Sequence, residues 1–124
     1  MRLTRAEFEQ AVRDALDTIP QRFHEFLDRV VVDIADRPDT QTLRELEVDD
    51  PADLLGAYFG TPLTDRGVED APNLPDRIVI YQRNVEAAAE SYEELVEEIA
   101  TTVLHEIGHH FGLDEDELED LGYG

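Results

Sequence analysis

The chain has 124 residues, no cysteine, and 31 Asp and Glu against 10 Lys and Arg, a formal net charge of −21. That length is most simply one domain, residues 1–124, able to bury about two-thirds of its unfolded surface in a single core, and a hydrophobic share of 41% supports folding. The charge argues against a nucleic-acid partner, whose phosphates it would repel, and the lack of thiols excludes both a disulfide framework and a thiolate metal site, so a metal must be held by His and carboxylate.

From the N-terminus, Met1 to Glu7 lacks the apolar core of a signal segment, and no run approaches the ~18 apolar residues of a membrane span. A cytoplasmic protein without membrane contact is expected. Thr4-x-x-Glu7 reads as a capping box, and Phe8, Val12, Ala15, Leu16 and Ile19 follow at helical spacing, so a first helix is predicted over about Arg5 to Ile19. Pro20 interrupts it, and Gln21 to Asp28 makes a short second helical piece through Phe23, Phe26 and Leu27. His24 lies among aromatics and reads as a structural histidine. Val30 to Ile34 is a β-branched run closed by Arg37-Pro38, a short buried strand. Thr42 to Val48 reads as a helical turn, and Asp49-Asp50-Pro51 as a turn. Leu54 to Phe59, bounded by Gly60, is a second strand whose glycines suggest a bulge or a close backbone approach. Thr61 to Pro75 reads as a surface loop, and Arg77 to Arg83 as the third strand.

Ser91-x-x-Glu94 is a second capping box and opens a helix predicted from Ser91 to Phe111, about 31 Å long. Val96, Ile99, Val103 and Ile107 fall within about 40° on the helical wheel, with His105 and His109 far round at about 200–240°. One face packs on the sheet and the other presents the histidines. Residues Asp116 to Gly124 form an acidic tail in which Leu118, Leu121 and Tyr123 can fold back as a short helix. The acidic residues are spread along the chain rather than clustered. That pattern favours solubility or adaptation to salt over a partner, although it would also steer cationic peptides inward at low salt. If it is an adaptation, the melting temperature should rise substantially between low and molar salt as like-charge repulsion is screened. A flat profile would contradict it.

The chemistry is concentrated in His105-Glu106-x-x-His109. Two histidines four apart project from one helix face one turn apart, so two imidazole nitrogens can reach one ion at about 2.0–2.1 Å. Glu106 points about 100° round the helix, where it can meet a metal-activated water as a general base instead of joining the ligands. Gly112 stands where a helix ends on a left-handed residue. The chain can then turn back and bring Glu115 or Asp114 towards the metal as a third ligand. In the register of the metzincin motif, which this spacing resembles, Glu115 is the third ligand, with Asp114 the alternative. His110 lies about 100° from His109 and reads as a surface residue or one behind the ligands.

His105-Glu106-x-x-His109-x-x-Gly112-x-x-Glu115 resembles the metzincin motif, whose last position is usually His and sometimes Asp. The only methionine is Met1, so the methionine turn of full-size metzincins is not expected. More broadly, the chain is similar to the small zincin-like metallopeptidases. The resemblance covers the N-terminal helix ending at Ile19-Pro20, the segments Leu54 to Thr64 and Leu74 to Tyr81, and His105 to Asp114. It implies a compact α+β fold with a small sheet against an N-terminal helix and a long active-site helix, a Zn2+ cofactor, and hydrolysis of a peptide or protein substrate, most simply as an endopeptidase. Members of that family usually carry Asp where this chain has Glu115. Tyr81 and Tyr123 are candidate donors to a developing oxyanion. Two other readings compete. A non-catalytic metal-binding module would close the site with four protein ligands. A metal-dependent RNA-processing hydrolase of the ribosomal-RNA-maturation type shares the His-x-x-x-His-x-x-Gly spacing, but carries three histidines, lacks the Glu and sits poorly with a charge of −21.

Overall fold

The computed structural model describes residues 1–60, 76–112 and 116. The expectations for the loop 61–75 and the tail 117–124 lie outside those residues. Helix α1 spans Arg5–Thr18, and its capping box is complete, with the Thr4 hydroxyl taking the Glu7 N–H and the Glu7 side chain taking the Thr4 N–H. Phe8, Ala11, Val12 and Ala15 recur on one face and are buried, and the helix stops where Ile19 turns extended before Pro20. A 3₁₀ turn, Gln21–Phe23, runs into the short helix α2, His24–Leu27. His24 is structural, as expected, with Nε2 on the Ile19 carbonyl at 2.9 Å.

Strand β1, Val30–Ala35, is followed by helix α3, Thr40–Glu45. The expected turn over Thr42 to Val48 is displaced towards the N-terminus because the Asp39 carboxylate caps the Thr42 N–H at 2.7 Å and starts the helix earlier. Strand β2 is Gly56–Phe59 and β3 is Asp76–Tyr81. The sheet order is β1-β3-β2. β1 runs parallel to β3, with Val32 opposite Ile78, and β2 antiparallel, with Tyr58 opposite Ile78. Alternation along the strands divides the sheet. Val30, Val32, Ile34, Ile78, Ile80 and Tyr58 share the core with α1 and the last helix, whereas Ala35, Ala57, Phe59, Val79 and Tyr81 form a second cluster on the opposite face.

The expected third strand, Arg77 to Arg83, begins one residue earlier, at Asp76, and ends at Tyr81. Gln82–Ala88 forms helix α4, which no apolar periodicity announces. Its polar side chains are buried by pairing rather than solvated. Gln82 accepts from Arg5 Nε at 2.9 Å and donates to the Leu3 carbonyl and to Glu86, each at 3.0 Å. Glu86 accepts the Leu3 N–H at 2.9 Å and Arg83 Nη1 at 2.7 Å. Asn84 donates to the Pro51 and Leu54 carbonyls at 2.7 and 2.8 Å. Buried polar groups are tolerable only when so paired. Among the described residues no buried side-chain nitrogen or oxygen lacks a partner.

Helix α5, Tyr92–Phe111, packs on α1, α4, β2 and β3. Its buried face is broader than the wheel suggests, taking in Leu95, Ala100 and Leu104 with Ile99, Val103 and Ile107, while Val96 is only half-buried. The Ser91 hydroxyl caps the Glu94 N–H at 3.1 Å, but the Glu94 carboxylate takes the Glu90 N–H, so the second box is half formed. Gly112 ends the helix with φ +68°, the left-handed conformation its lack of a Cβ permits. Gly56 answers to the expected close approach. A Cβ there would stand 2.6 Å from Thr102 Cγ2 and 3.1 Å from the Val79 carbonyl oxygen, so glycine lets β2 lie against α5. Among the described residues no helix is long and apolar enough to cross a membrane.

Candidate functional site

Near its C-terminal end α5 passes the edge of β2, and it carries His105, Glu106 and His109 there. His105 is half-buried and His109 exposed. Their ring centroids are 6.3 Å apart and the planes are tilted by 30°. Two imidazoles sharing a tetrahedral zinc at about 2.0–2.1 Å would hold their centroids roughly 5 Å apart. The nitrogen and carboxylate donors available here suit zinc. Among the described residues no cluster of three or more metal-ligating side chains forms, and the candidate third ligands Glu115 and Asp114 lie outside the described residues.

Glu106 is half-buried between the helix and the sheet edge. Burial pushes its carboxyl above the ordinary glutamate range, opposed by positive charge on His109 and His105 and by a hydrogen bond from the Tyr58 backbone N–H. The register explains why that N–H is available. Tyr81 donates its N–H to the Leu55 carbonyl at 2.9 Å, so in antiparallel alternation Leu55, Ala57 and Phe59 exchange bonds with β3, and Gly56 and Tyr58 present their backbone groups at the edge facing away from β3.

Tyr58 makes two further contacts. Its ring stacks on His110, centroids 4.0 Å apart and planes 15° from parallel, and its hydroxyl donates to Asp76 Oδ2 at 2.7 Å. His110 Nε2 stands 3.6 Å from the same Asp76 oxygen. Burial, then the Asp76 carboxylate, raises the Tyr58 phenol well above its ordinary range, so it stays a neutral donor. His110 is therefore built into the join between α5 and the sheet. Sequence reasoning singled out neither Tyr58 nor Asp76. The only signal for Tyr58 was strand alternation, which puts it on the same face as Gly56.

Tyr81, an expected oxyanion donor, lies in the cluster on the other face of the sheet. Its hydroxyl is raised by burial and by Asp39, and a hydrogen bond with the Thr42 side chain opposes the rise. The Arg77 charge lowers it as well, and the Glu106 charge raises it. Tyr123 lies outside the described residues.

No curated protein matches the chain. A family model described as zincin-like metallopeptidase matches residues 27–124, a span that takes in the sheet, α3, α4 and the whole of α5 and leaves out α1, the 3₁₀ turn and all of α2 but Leu27. With the His105 and His109 rings one turn apart and Glu106 at the sheet edge, the chain belongs to the zincin-like metallopeptidases.

Proposed function

We propose that the protein is a zinc-dependent endopeptidase in which His105, His109 and Glu115, or Asp114 in its place, hold the metal and Glu106 is the general base. The observation that carries this reading is the placement of Glu106, beside two imidazoles one turn apart with its carboxylate tethered to the β2 edge. A bound zinc ion supplies Lewis-acid chemistry, polarising a carbonyl and acidifying water. The Glu106 carboxylate, which accepts the Tyr58 N–H, takes a proton from the attacking water. The water oxygen adds to the peptide carbonyl carbon, the C–N bond breaks, and Glu106 returns the proton to the leaving amine. An extended peptide is the substrate class that suits the site, because among the described residues β2 is an edge strand paired with β3 alone, with which a further strand can pair.

The test is digestion of a mixed peptide library by the zinc-loaded protein, read by mass spectrometry. Cleavage at internal bonds, abolished by a chelator and restored by zinc, is expected. Absence of cleavage, or cleavage indifferent to the chelator, would contradict the proposal.

The third ligand is testable separately. A glutamate oxygen can ligate zinc at about 2.0–2.2 Å as an aspartate can, and the count from His109 through Gly112 lands on Glu115. Glu115→Ala should therefore weaken zinc binding by more than the roughly 10–100-fold that loss of an outer partner costs, and Asp114→Ala only slightly. Isothermal titration ranks the two, and the reverse order moves the ligand to Asp114.

A further inference from the structure

A carboxylate that acts as base must be held still as well as placed near its proton. Glu106 has one tether from the sheet, the Tyr58 backbone N–H, and that donor is only as well positioned as the strand that bears it. Among the described residues β2 is an edge strand of four residues, Gly56–Phe59, paired with β3 alone. Left to that pairing its outer edge would fray. The Tyr58 side chain is gripped from two directions. Its ring lies flat on His110, 4.0 Å between centroids, and its hydroxyl is bonded to Asp76 on β3 at 2.7 Å. His110 in turn stands 3.6 Å from Asp76, so the three close a ring joining α5, β2 and β3. His110 lies one turn on from Glu106 in the same helix, so the clamp and the carboxylate share one rigid element.

We infer that Tyr58 is a positioning residue for Glu106, and that the His110–Tyr58–Asp76 clamp fixes the β2 edge so that the Tyr58 N–H holds the carboxylate in its working orientation. The consequence for hydrolysis rests on the peptidase reading, whereas the geometry does not. Aromatic stacking supplies the hold, so a flat apolar ring at position 110 should serve as well as imidazole.

The experiment is amide hydrogen exchange by NMR on the full chain, with and without zinc, comparing Tyr58 with Ala57 and Phe59, whose amides bond to β3. In the wild type all three amides should be protected. Glu106→Ala should speed Tyr58 exchange about tenfold or more and spare the other two. His110→Ala should do the same, and His110→Phe should restore protection. Tyr58→Phe, which keeps the ring and loses only the Asp76 bond, should fall between. A Tyr58 amide indifferent to His110→Ala and to Tyr58→Phe overturns the clamp. If His110→Ala exposes all three amides together, the milder Tyr58→Phe decides the matter by whether position 58 alone changes. In the hydrolysis assay, His110→Ala should lower kcat by roughly 10–100-fold at unchanged zinc affinity and nearly unchanged KM, with rescue in His110→Phe. A loss explained wholly by weaker zinc binding would contradict positioning. Should the wild type cleave no peptide, the peptidase reading fails and the exchange result still decides the clamp.

Discussion

Replacing Glu106 by Gln should leave one zinc bound per chain and lower peptide hydrolysis by about 10²–10⁴-fold, the usual cost of removing a general base. Gln is nearly isosteric with Glu, and its amide oxygen can still accept the Tyr58 N–H, so the side chain keeps its place at the sheet edge. What it loses is the ability to take a proton. A structural role would give the opposite pattern, with altered metal content or stability and little change in rate per bound zinc. Hydrolysis at equal rates by the two proteins would remove Glu106 from the mechanism.

The largest effect on stability is expected at the opposite end of the molecule. Glu86 has a side chain only 5% exposed and accepts bonds from Leu3, Gln82 and Arg83, tying the start of the chain to α4. Glu86→Ala leaves the Arg83 guanidinium, itself only 19% exposed, without its ion partner. Breaking such a buried pair costs about 3–5 kcal/mol, read by urea unfolding at neutral pH. A loss below about 1 kcal/mol would place Glu86 among ordinary surface carboxylates. Its pH dependence follows from the same contacts. Burial alone would raise the Glu86 carboxyl, but the donors from Gln82, Leu3 and Arg83 outweigh it and hold the group below its ordinary value. A carboxyl lowered in the folded state stabilises the protein above its unfolded value, about 4.3. That contribution is lost as the pH falls through the lower folded value. The difference in stability between wild type and Glu86→Gln should therefore be full above about pH 4.3 and shrink below it. A difference that stays constant into acid would contradict the assignment.

What could be read from the sequence was whatever local chemistry decides. Thr4 and Glu7 specify a helix start wherever they occur, and Gly112 specifies a left-handed end, so both ends of the reading frame for α1 and α5 were legible. Helix α4 was not. Gln82, Arg83, Asn84 and Glu86 look like a solvated segment because their partners, Leu3, Arg5, Pro51 and Leu54, are distant in sequence, and only the fold brings them together. Strand β2 begins at Gly56 rather than Leu54 for a related reason, since its partner β3 ends at Tyr81, where the chain turns into α4. The candidate ligands were legible because His105 and His109 sit within one helical turn. The contacts around Glu106 were not, because the Tyr58 N–H points outward only once the pairing of β2 with β3 is known. His110 shows the same limit. On the helical wheel it is a surface residue, and its stacking on Tyr58 depends on how closely Gly56 lets β2 approach α5.

That α5 is a metal-binding helix is tested most directly by zinc content and affinity in the wild type, His105→Ala and His109→Ala. One zinc per wild-type chain is expected, with X-ray absorption showing nitrogen ligands at about 2.0–2.1 Å and stoichiometric binding lost in each variant. Zinc bound equally well without either histidine, or no stoichiometric zinc in the wild type, would contradict the account.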